Sequence, residues 1–239
     1  MKKVWISITV LMWIFTACVP QTATGQPSII IEKPTMTNTP VDLTPSQLAA
    51  VAALSESLGL PADSVKLVST EAIDWPDGCL GIVEDGLICA QVITPGFRVI
   101  LEAYGRHMEY RTNEDGTLLR PATIAINWKR EGGIAGFCDY MTVYLSGEVH
   151  GGSCKQDQYS EGLLVDILSE DERAKLDQWL KNFGTVNIDA SDPKGVSDRM
   201  LVVMTLIGTG NQQTLSTSAE QELLKFAQEL QQRLNLDFK

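Results

Sequence analysis

Imidazole chemistry is confined to two positions of the 239-residue chain, because His107 and His150 are its only histidines. In enzymes a histidine commonly serves as the general base for a serine or cysteine nucleophile, or as a zinc ligand. The chain contains no G-x-S-x-G nucleophile elbow. His107-Met108-Glu109 has the H-x-E of zinc deaminases, but no P-C-x-x-C follows it. We therefore predict no catalytic residues and no enzyme; an enzyme would need one of the two histidines beside a nucleophile in a deep pocket.

Motifs for cofactors and metal ions are also missing from the sequence. Gly208-Thr209-Gly210 follows an apolar run, but it lacks the third glycine of a dinucleotide fingerprint and the lysine of a P-loop. Asp157, Glu161 and Asp166 do not have the spacing of a calcium-binding loop. The sequence therefore predicts no cofactor and no metal site.

The first residues have the organisation of an export signal. Lys2 and Lys3 precede an apolar run at 4–15, which is shorter than the roughly twenty residues that span a bilayer as a helix. The run ends in Phe15-Thr16-Ala17-Cys18, which resembles the lipobox of bacterial lipoproteins. The resemblance implies a signal peptide at 1–17 and a lipid on Cys18, which anchors the protein to a membrane and leaves it facing the extracytoplasmic side. An ordinary secreted protein is the alternative.

Composition divides the rest of the chain. Residues 18–43 are rich in threonine and proline, and such segments stay extended and solvated, so we predict a tether. Two small domains are expected to follow, at 44–121 and 122–239. Each is predicted to be an antiparallel sheet packed by one or two helices, an α+β class that includes cystatin-like folds.

Capping and turn signals predict the main elements of both domains. Thr44-Pro45-Ser46-Gln47 predicts the start of a first helix and Gly59 its end. Further helices are expected to begin at Ser169 and at Thr217 or Ser218. Strand-like runs are found at 65–69, 87–93, 97–104, 107–112, 124–130, 141–145, 148–150 and 199–207. The run at 199–207 is continuously apolar, which favours a central buried strand.

Cysteines predict two covalent bridges. Cys79 and Cys89 are separated by nine residues, and neither a histidine nor another cysteine stands at zinc-like spacing from them. In an oxidising compartment this favours a local disulfide over a metal pair. Pairing Cys79 with Cys89 and Cys138 with Cys154 is the only one of three arrangements that keeps both bridges within the proposed domains.

Three segments of the first domain are together similar to a secreted bacterial domain. They are Trp75-Pro76-Asp77-Gly78-Cys79-Leu80-Gly81, the run 89–99, and Tyr110-Arg111-Thr112. The family pattern runs W-x-D-x-x-L-G, then Q-x-I-x-P-G-[YFW]-R, and later [YV]-[HR]-T. The family has no assigned activity, so the resemblance implies fold and compartment alone.

A glycine-rich segment opens the second domain. Lys129-Arg130-Glu131-Gly132-Gly133-Ile134-Ala135-Gly136 resembles the opening of the emfourins, small bacterial inhibitors of thermolysin-type metalloproteases. The resemblance implies a protease as a protein partner. Because glycine lets a partner's backbone come close, the expected contact loop consists of Gly132, Gly133, Ile134, Ala135, Gly136 and Phe137. A bulge or tight turn with no binding role is the alternative.

The charge balance excludes one class of partner. The chain has 30 acidic and 19 basic residues and a formal net charge of −11, whereas nucleic-acid phosphates need a basic footprint. We therefore expect a lipid-anchored extracytoplasmic binding protein without catalytic activity and with no nucleic-acid partner. The alternatives are an anchored inhibitor of extracellular metalloproteases and a scaffold protein of the cell envelope.

Overall fold

The computed structural model describes residues 42–84, 87–153 and 164–236. The predicted signal peptide, Cys18, most of the tether and Cys154 lie outside the described residues. The described part belongs to one compact unit, 42–239. None of its helices is both long enough and apolar enough to cross a membrane.

Three α-helices and ten strands make up the described part of the chain. The helices are α1 (Pro45–Leu58), α2 (Glu170–Asn182) and α3 (Thr217–Leu236). The strands are β1 (Lys66–Trp75), β2 (Thr94–Ala103), β3 (Arg106–Asn113), β4 (Leu119–Pro121), β5 (Ile124–Gly132), β6 (Phe137–Tyr144), β7 (Glu148–Ser153), β8 (Leu164–Ile167), β9 (Thr185–Asp189) and β10 (Met200–Ile207).

The strands form two antiparallel sheets, which confirms the predicted α+β class. The N-terminal sheet has the order β1-β2-β3-β4, and the C-terminal sheet has the order β8-β7-β6-β5-β10-β9. Helix α1 packs on the first sheet, while α2 and α3 cover one face of the second. Each sheet has its own apolar core, and Leu145 packs against both. The division into two domains at 121/122 stays a prediction.

Both ends of α1 and the start of α2 lie where their capping residues predict them. The Thr44 hydroxyl accepts a hydrogen bond from the Gln47 amide at 3.4 Å, and the Gln47 side chain accepts one from the Thr44 amide at 2.9 Å. Gly59 ends α1 in the left-handed conformation. Ser169 and Glu172 form the same reciprocal cap on α2. These helices begin where a side chain satisfies amides that have no partner inside the helix.

Two strand predictions need correction. The run 87–93 is not a strand, because the Ala90 carbonyl accepts from the Gly78 amide (2.8 Å) and the Val92 amide (2.9 Å) instead of pairing in a sheet. Strand β10 lies inside the sheet, next to edge strand β9, but only Met204 and Leu206 are buried along it. Its continuous apolar run therefore covers a half-exposed face as well as the core.

A close backbone contact explains the glycine in the P-G-[YFW]-R segment. Gly96 starts the pairing of β2 with β3 and lies opposite Asn113. A Cβ atom at Gly96 would lie 1.8 Å from the carbonyl oxygen of Thr112. No side-chain rotation can relieve that overlap, since the colliding atom belongs to the backbone. The strands can approach this closely only with glycine at this position.

We predict that Gly96→Ala lowers the free energy of unfolding by about 3 kcal/mol, because β2 and β3 must separate locally. Gly78→Ala is the matched control: its Cβ would meet Ala90 at an ordinary 3.5 Å, so a change within about 0.5 kcal/mol is expected. Urea unfolding followed by circular dichroism measures both. Equal stability of the two variants would contradict the contact described here.

Candidate functional site

Five buried or largely buried polar side chains meet where the two sheets adjoin, and we call them the junction cluster. They are Glu84, Tyr110, Tyr144, Glu148 and His150. Glu84 comes from the loop between β1 and β2, and Tyr110 comes from β3. The other three lie on the β6–β7 hairpin, where Val149 between Glu148 and His150 faces the core under the helices. Since side chains alternate along a strand, the two neighbours of Val149 face the other side of the sheet.

His150 is the centre of the junction cluster. Its Nδ1 lies 3.1 Å from Oε1 of Glu84, and its Nε2 lies 3.4 Å from Oε2 of Glu148. The Tyr144 hydroxyl also donates to Glu84, and the edge of its ring packs against the imidazole at 4.8 Å between centroids. The Tyr110 hydroxyl donates to Oε1 of Glu148 at 2.7 Å. The side chains of His150 and Glu84 are only 5% and 3% exposed.

The pairing outweighs burial for both titrating groups at the centre. Burial alone would lower the pKa of His150, but its hydrogen bonds to Glu148 and Glu84 raise that pKa overall. Burial alone would raise the pKa of Glu84, but hydrogen bonds from His150 and Tyr144 lower it overall, with a smaller contribution from the charge of Arg120. The cluster therefore favours an imidazolium held between two carboxylates.

Both phenols act as permanent donors in this arrangement. Burial and the neighbouring carboxylate, Glu148 for Tyr110 and Glu84 for Tyr144, raise the pKa of each hydroxyl far above its usual range. Each phenol therefore keeps its proton and donates a hydrogen bond to a carboxylate.

This geometry suits a structural role for His150, as a cation between two carboxylates, better than a role as a catalytic base. When His150 is protonated, both of its nitrogens donate to carboxylates, so neither can take a proton from a substrate. Among the described residues, its ring nitrogens contact carboxylates and neither a hydroxyl nor a thiol. The other histidine, His107, lies apart on β3, where its exposed ring is 3.6 Å from Glu102.

The first segment of the family pattern, residues 75–81, positions the loop that carries Glu84. Oδ1 of Asp77 accepts from the amides of Cys79 and Gly81, both at 2.9 Å. Nη1 of Arg111 donates to the carbonyls of Leu80 (3.1 Å) and Gly81 (2.8 Å). Leu80 is fully buried in the left-handed conformation, at φ 60°. A branched residue holds this conformation only where its surroundings enforce it.

Trp75 and the disulfide complete that support. The indole nitrogen of Trp75 donates to the Thr112 carbonyl at 2.9 Å, and the Arg111 guanidinium lies 4.9 Å from the ring. Cys79 and Cys89 are bonded, with their Cα atoms 5.4 Å apart, which confirms the predicted bridge. Asp77 lies close to both sulfurs, but a disulfide offers no thiolate to a metal ion, so these three residues do not fit a metal site.

Only one cysteine of the second predicted disulfide lies among the described residues. Cys138, near the start of β6, is disulfide-bonded. Its predicted partner, Cys154, lies outside the described residues, so the pairing of 138 with 154 stays a prediction.

The predicted contact loop is the turn between β5 and β6. Gly132 ends β5 at φ +84°, and a Cβ there would lie 2.3 Å from the Arg199 carbonyl oxygen. Ile134 is 94% exposed at the tip. Below the tip, the Arg130 guanidinium pairs with Asp139 at 2.5 Å and lies 3.8 Å from the Phe137 ring centroid. The loop therefore presents an apolar tip on a tightly held base.

Sequence reasoning named His150 only as one of the two histidines that an enzyme could use, and it did not find the partners of His150. Glu84 and Tyr110 lie 66 and 40 residues before it, as the numbering shows, and no spacing rule connects them. The sequence offered one signal: the hairpin carries an aromatic residue, Tyr144, and an acidic residue, Glu148, close to His150. Such residues are also common on solvated strands.

Comparison with known proteins identifies one region. Residues 47–121 match the family model of a domain of unknown function, DUF8738. The match runs from α1 to β4, so it includes Trp75, Glu84 and Tyr110. The chain matches no curated protein and no solved structure.

We predict that His150→Gln lowers the free energy of unfolding by about 3 kcal/mol near pH 6, because it leaves Glu84 and Glu148 buried without their cation. The pH dependence follows from the two pKa shifts. The raised pKa of His150 stabilises the fold below its ordinary pKa of 6.5, and this is lost as pH rises through the raised value. The lowered pKa of Glu84 stabilises the fold above its ordinary 4.5, and this is lost as pH falls.

The wild-type chain should therefore be most stable between these two ordinary values, while His150→Gln loses the decline on the alkaline side. Urea midpoints measured from below pH 4.5 to above pH 6.5 follow both declines. His107→Gln is the control, since that side chain is 61% exposed and its loss should change stability by no more than about 0.5 kcal/mol. A His150→Gln chain that keeps the alkaline decline would refute the assignment.

Proposed function

We propose that the chain is a lipid-anchored extracytoplasmic binding protein that contacts a protein partner through the loop at 132–137. The observation that carries this proposal is Ile134, a branched apolar residue 94% exposed at a hairpin tip. An apolar side chain so placed contributes little to folding, whereas in a complex it can fill a pocket of the partner.

The base of the hairpin supports binding because it limits the cost of ordering. The Arg130–Asp139 pair is largely buried, with side chains 16% and 8% exposed, and Phe137 packs on the same guanidinium. A loop held in one conformation loses less entropy when it binds. The tip is therefore suited to a rigid insertion.

The extracytoplasmic location rests on two features. The Cys79–Cys89 disulfide is typical of oxidising compartments. The segment Phe15-Thr16-Ala17-Cys18 after the apolar run supports export and lipidation, and acyl chains on one cysteine with a further N-acyl group give stable anchoring.

A second candidate is an anchored inhibitor of extracellular metalloproteases. It is supported by the emfourin-like residues Gly132, Gly133, Ile134, Ala135 and Gly136, which form the exposed turn described above. In this role Ile134 would occupy an apolar subsite of the protease.

We predict that Cys18→Ser abolishes incorporation of labelled palmitate and moves the protein from the membrane to the soluble fraction of a bacterial host, because only a cysteine can be lipidated at this position. The measurement is fractionation of cells grown with the label. Thr22→Ser, four residues away, is the control and should remain labelled. Equal labelling of the wild type and the Cys18→Ser variant would contradict the proposed lipid anchor at Cys18.

We predict that the full chain inhibits a thermolysin-type protease and that Ile134→Asp weakens inhibition at least about tenfold, the effect expected of a hot-spot residue. Val68→Asp alters another exposed branched residue, 45% exposed on β1, and should inhibit like the wild type. Residual protease activity against inhibitor concentration gives the result.

Full protease activity at micromolar inhibitor would exclude the inhibitor candidate but not the broader proposal. For the latter, a photo-cross-linking residue is placed at 134 or, as the control, at 68 in intact cells. A protein adduct specific to 134 supports the binding loop, and identical adducts at both positions contradict it. If the protein that cross-links to position 134 is a stable component of the cell envelope, the result would favour the scaffold alternative.

A further inference from the structure

A cavity lies between α2 and the end of α1, and we call it the α2 cleft. It has a volume of about 650 Å³ and none of the junction cluster lines it. One wall is α2; the opposite wall is the end of α1 with the turn between β2 and β3. The volume is typical of sites for small molecules, which often lie where two parts of a fold meet.

Helix α2 contributes four charged residues to the lining of the cleft, Glu170 and three others that share one helix face. Arg173, Asp177 and Lys181 follow one another at intervals of four, so they share a helix face. Arg106 reaches from the opposite wall and pairs with Asp177 at 2.6 Å. With Glu170 as the remaining acid, the lining has three cations and two anions. This positive excess stands out in a chain with a net charge of −11.

Arg173 keeps an open edge for an anion. Its Nη1 donates to two neutral acceptors, the carbonyls of Ser57 (3.0 Å) and Leu168 (2.8 Å). Its Nε and Nη2 donate to no described residue, and neither is a buried atom left without a partner. These two nitrogens form the edge of a guanidinium that binds a carboxylate in bidentate fashion. Lys181, two turns along, forms no ion pair with the described residues and adds a second charge.

The rim of the cleft contains a strained aromatic residue. Tyr104 and Gly105 form the two-residue turn between β2 and β3, with φ angles of 51° and 71°. Such turns favour asparagine, aspartate or glycine at the first position, because bulky residues are strained there. Tyr104 is nevertheless 68% exposed, so core packing does not require it. Strain retained without a packing role points to a function at the rim.

We propose that the α2 cleft binds a small organic anion with a flat apolar body. The carboxylate lies against the open edge of Arg173. Lys181, about 12 Å further along α2, adds its positive charge to the electrostatic potential of the cleft. The apolar body lies between the Tyr104 ring and the buried side chains of Leu58 and Met108, which line the cleft. This site is independent of the protein partner proposed for the loop at 132–137.

The test uses 2-naphthoate as the probe and the full chain labelled with ¹⁵N. Saturable shifts are expected at the amides of Gly59 and Gly147, which line the cleft, but not at Gly81. The cationic analogue 2-naphthylmethylammonium should not bind, and acetate, which has the head group alone, should bind far more weakly. Raising the salt concentration should weaken 2-naphthoate binding, since the cations are partly exposed.

Three variants separate binding from folding. Lys181→Gln should weaken binding about fivefold, whereas Lys175→Gln, an exposed lysine on the same helix outside the cleft, should have no effect. Tyr104→Asn should weaken binding while leaving the melting temperature unchanged or higher, because asparagine relieves the strained turn. Absence of saturable binding into the millimolar range, equal binding of the cationic analogue, or equal effects of Lys181→Gln and Lys175→Gln would each overturn the proposal.

Discussion

Two carboxylates at one junction, the buried Glu84 and the largely buried Glu148, are the constraint on which the rest of this structure depends. Glu84 and Glu148 lie on either side of the His150 ring, at 3.1 and 3.4 Å. Leaving either of them without a cation would cost several kcal/mol. The β6–β7 hairpin and the loop before β2 are therefore held in one register, because a shift of one residue along β7 would turn both of its charged side chains away from Glu84.

The residues shared with the secreted-domain pattern explain how Glu84 reaches that position. Along β3, consecutive residues serve the two sides of the junction: the Tyr110 hydroxyl binds Glu148, while the Arg111 guanidinium binds the carbonyls of Leu80 and Gly81. The disulfide closes the same loop at Cys89. Tyr110 donates to the Glu148 side chain, whereas Asp77, Arg111 and Trp75 bind backbone atoms. These pattern residues therefore support the loop that carries Glu84.

Features set by neighbouring residues were predictable from sequence, and features set by distant residues were not. Thr44 with Gln47, and Ser169 with Glu172, predict helix starts because a cap is completed within four residues. The Cys79–Cys89 bridge was equally local. The run 87–93 has the composition of a strand, but the turn of Ala90 toward Gly78 removes it from the sheet. Strands β8 and β9 were not predicted, since their few residues become strands only through partners on β7 and β10.

Arg173 joins α2 to the end of α1 at the α2 cleft. Its Nη1 donates to the Ser57 carbonyl at 3.0 Å and to the Leu168 carbonyl at 2.8 Å, while the Ser57 hydroxyl donates to the Leu54 carbonyl within α1. The lining of the cleft and the core under α1 therefore depend on the same turn of helix, since Leu54 and Leu58 belong to that core. A ligand that binds only the folded cleft stabilises this contact between α1 and α2 by mass action.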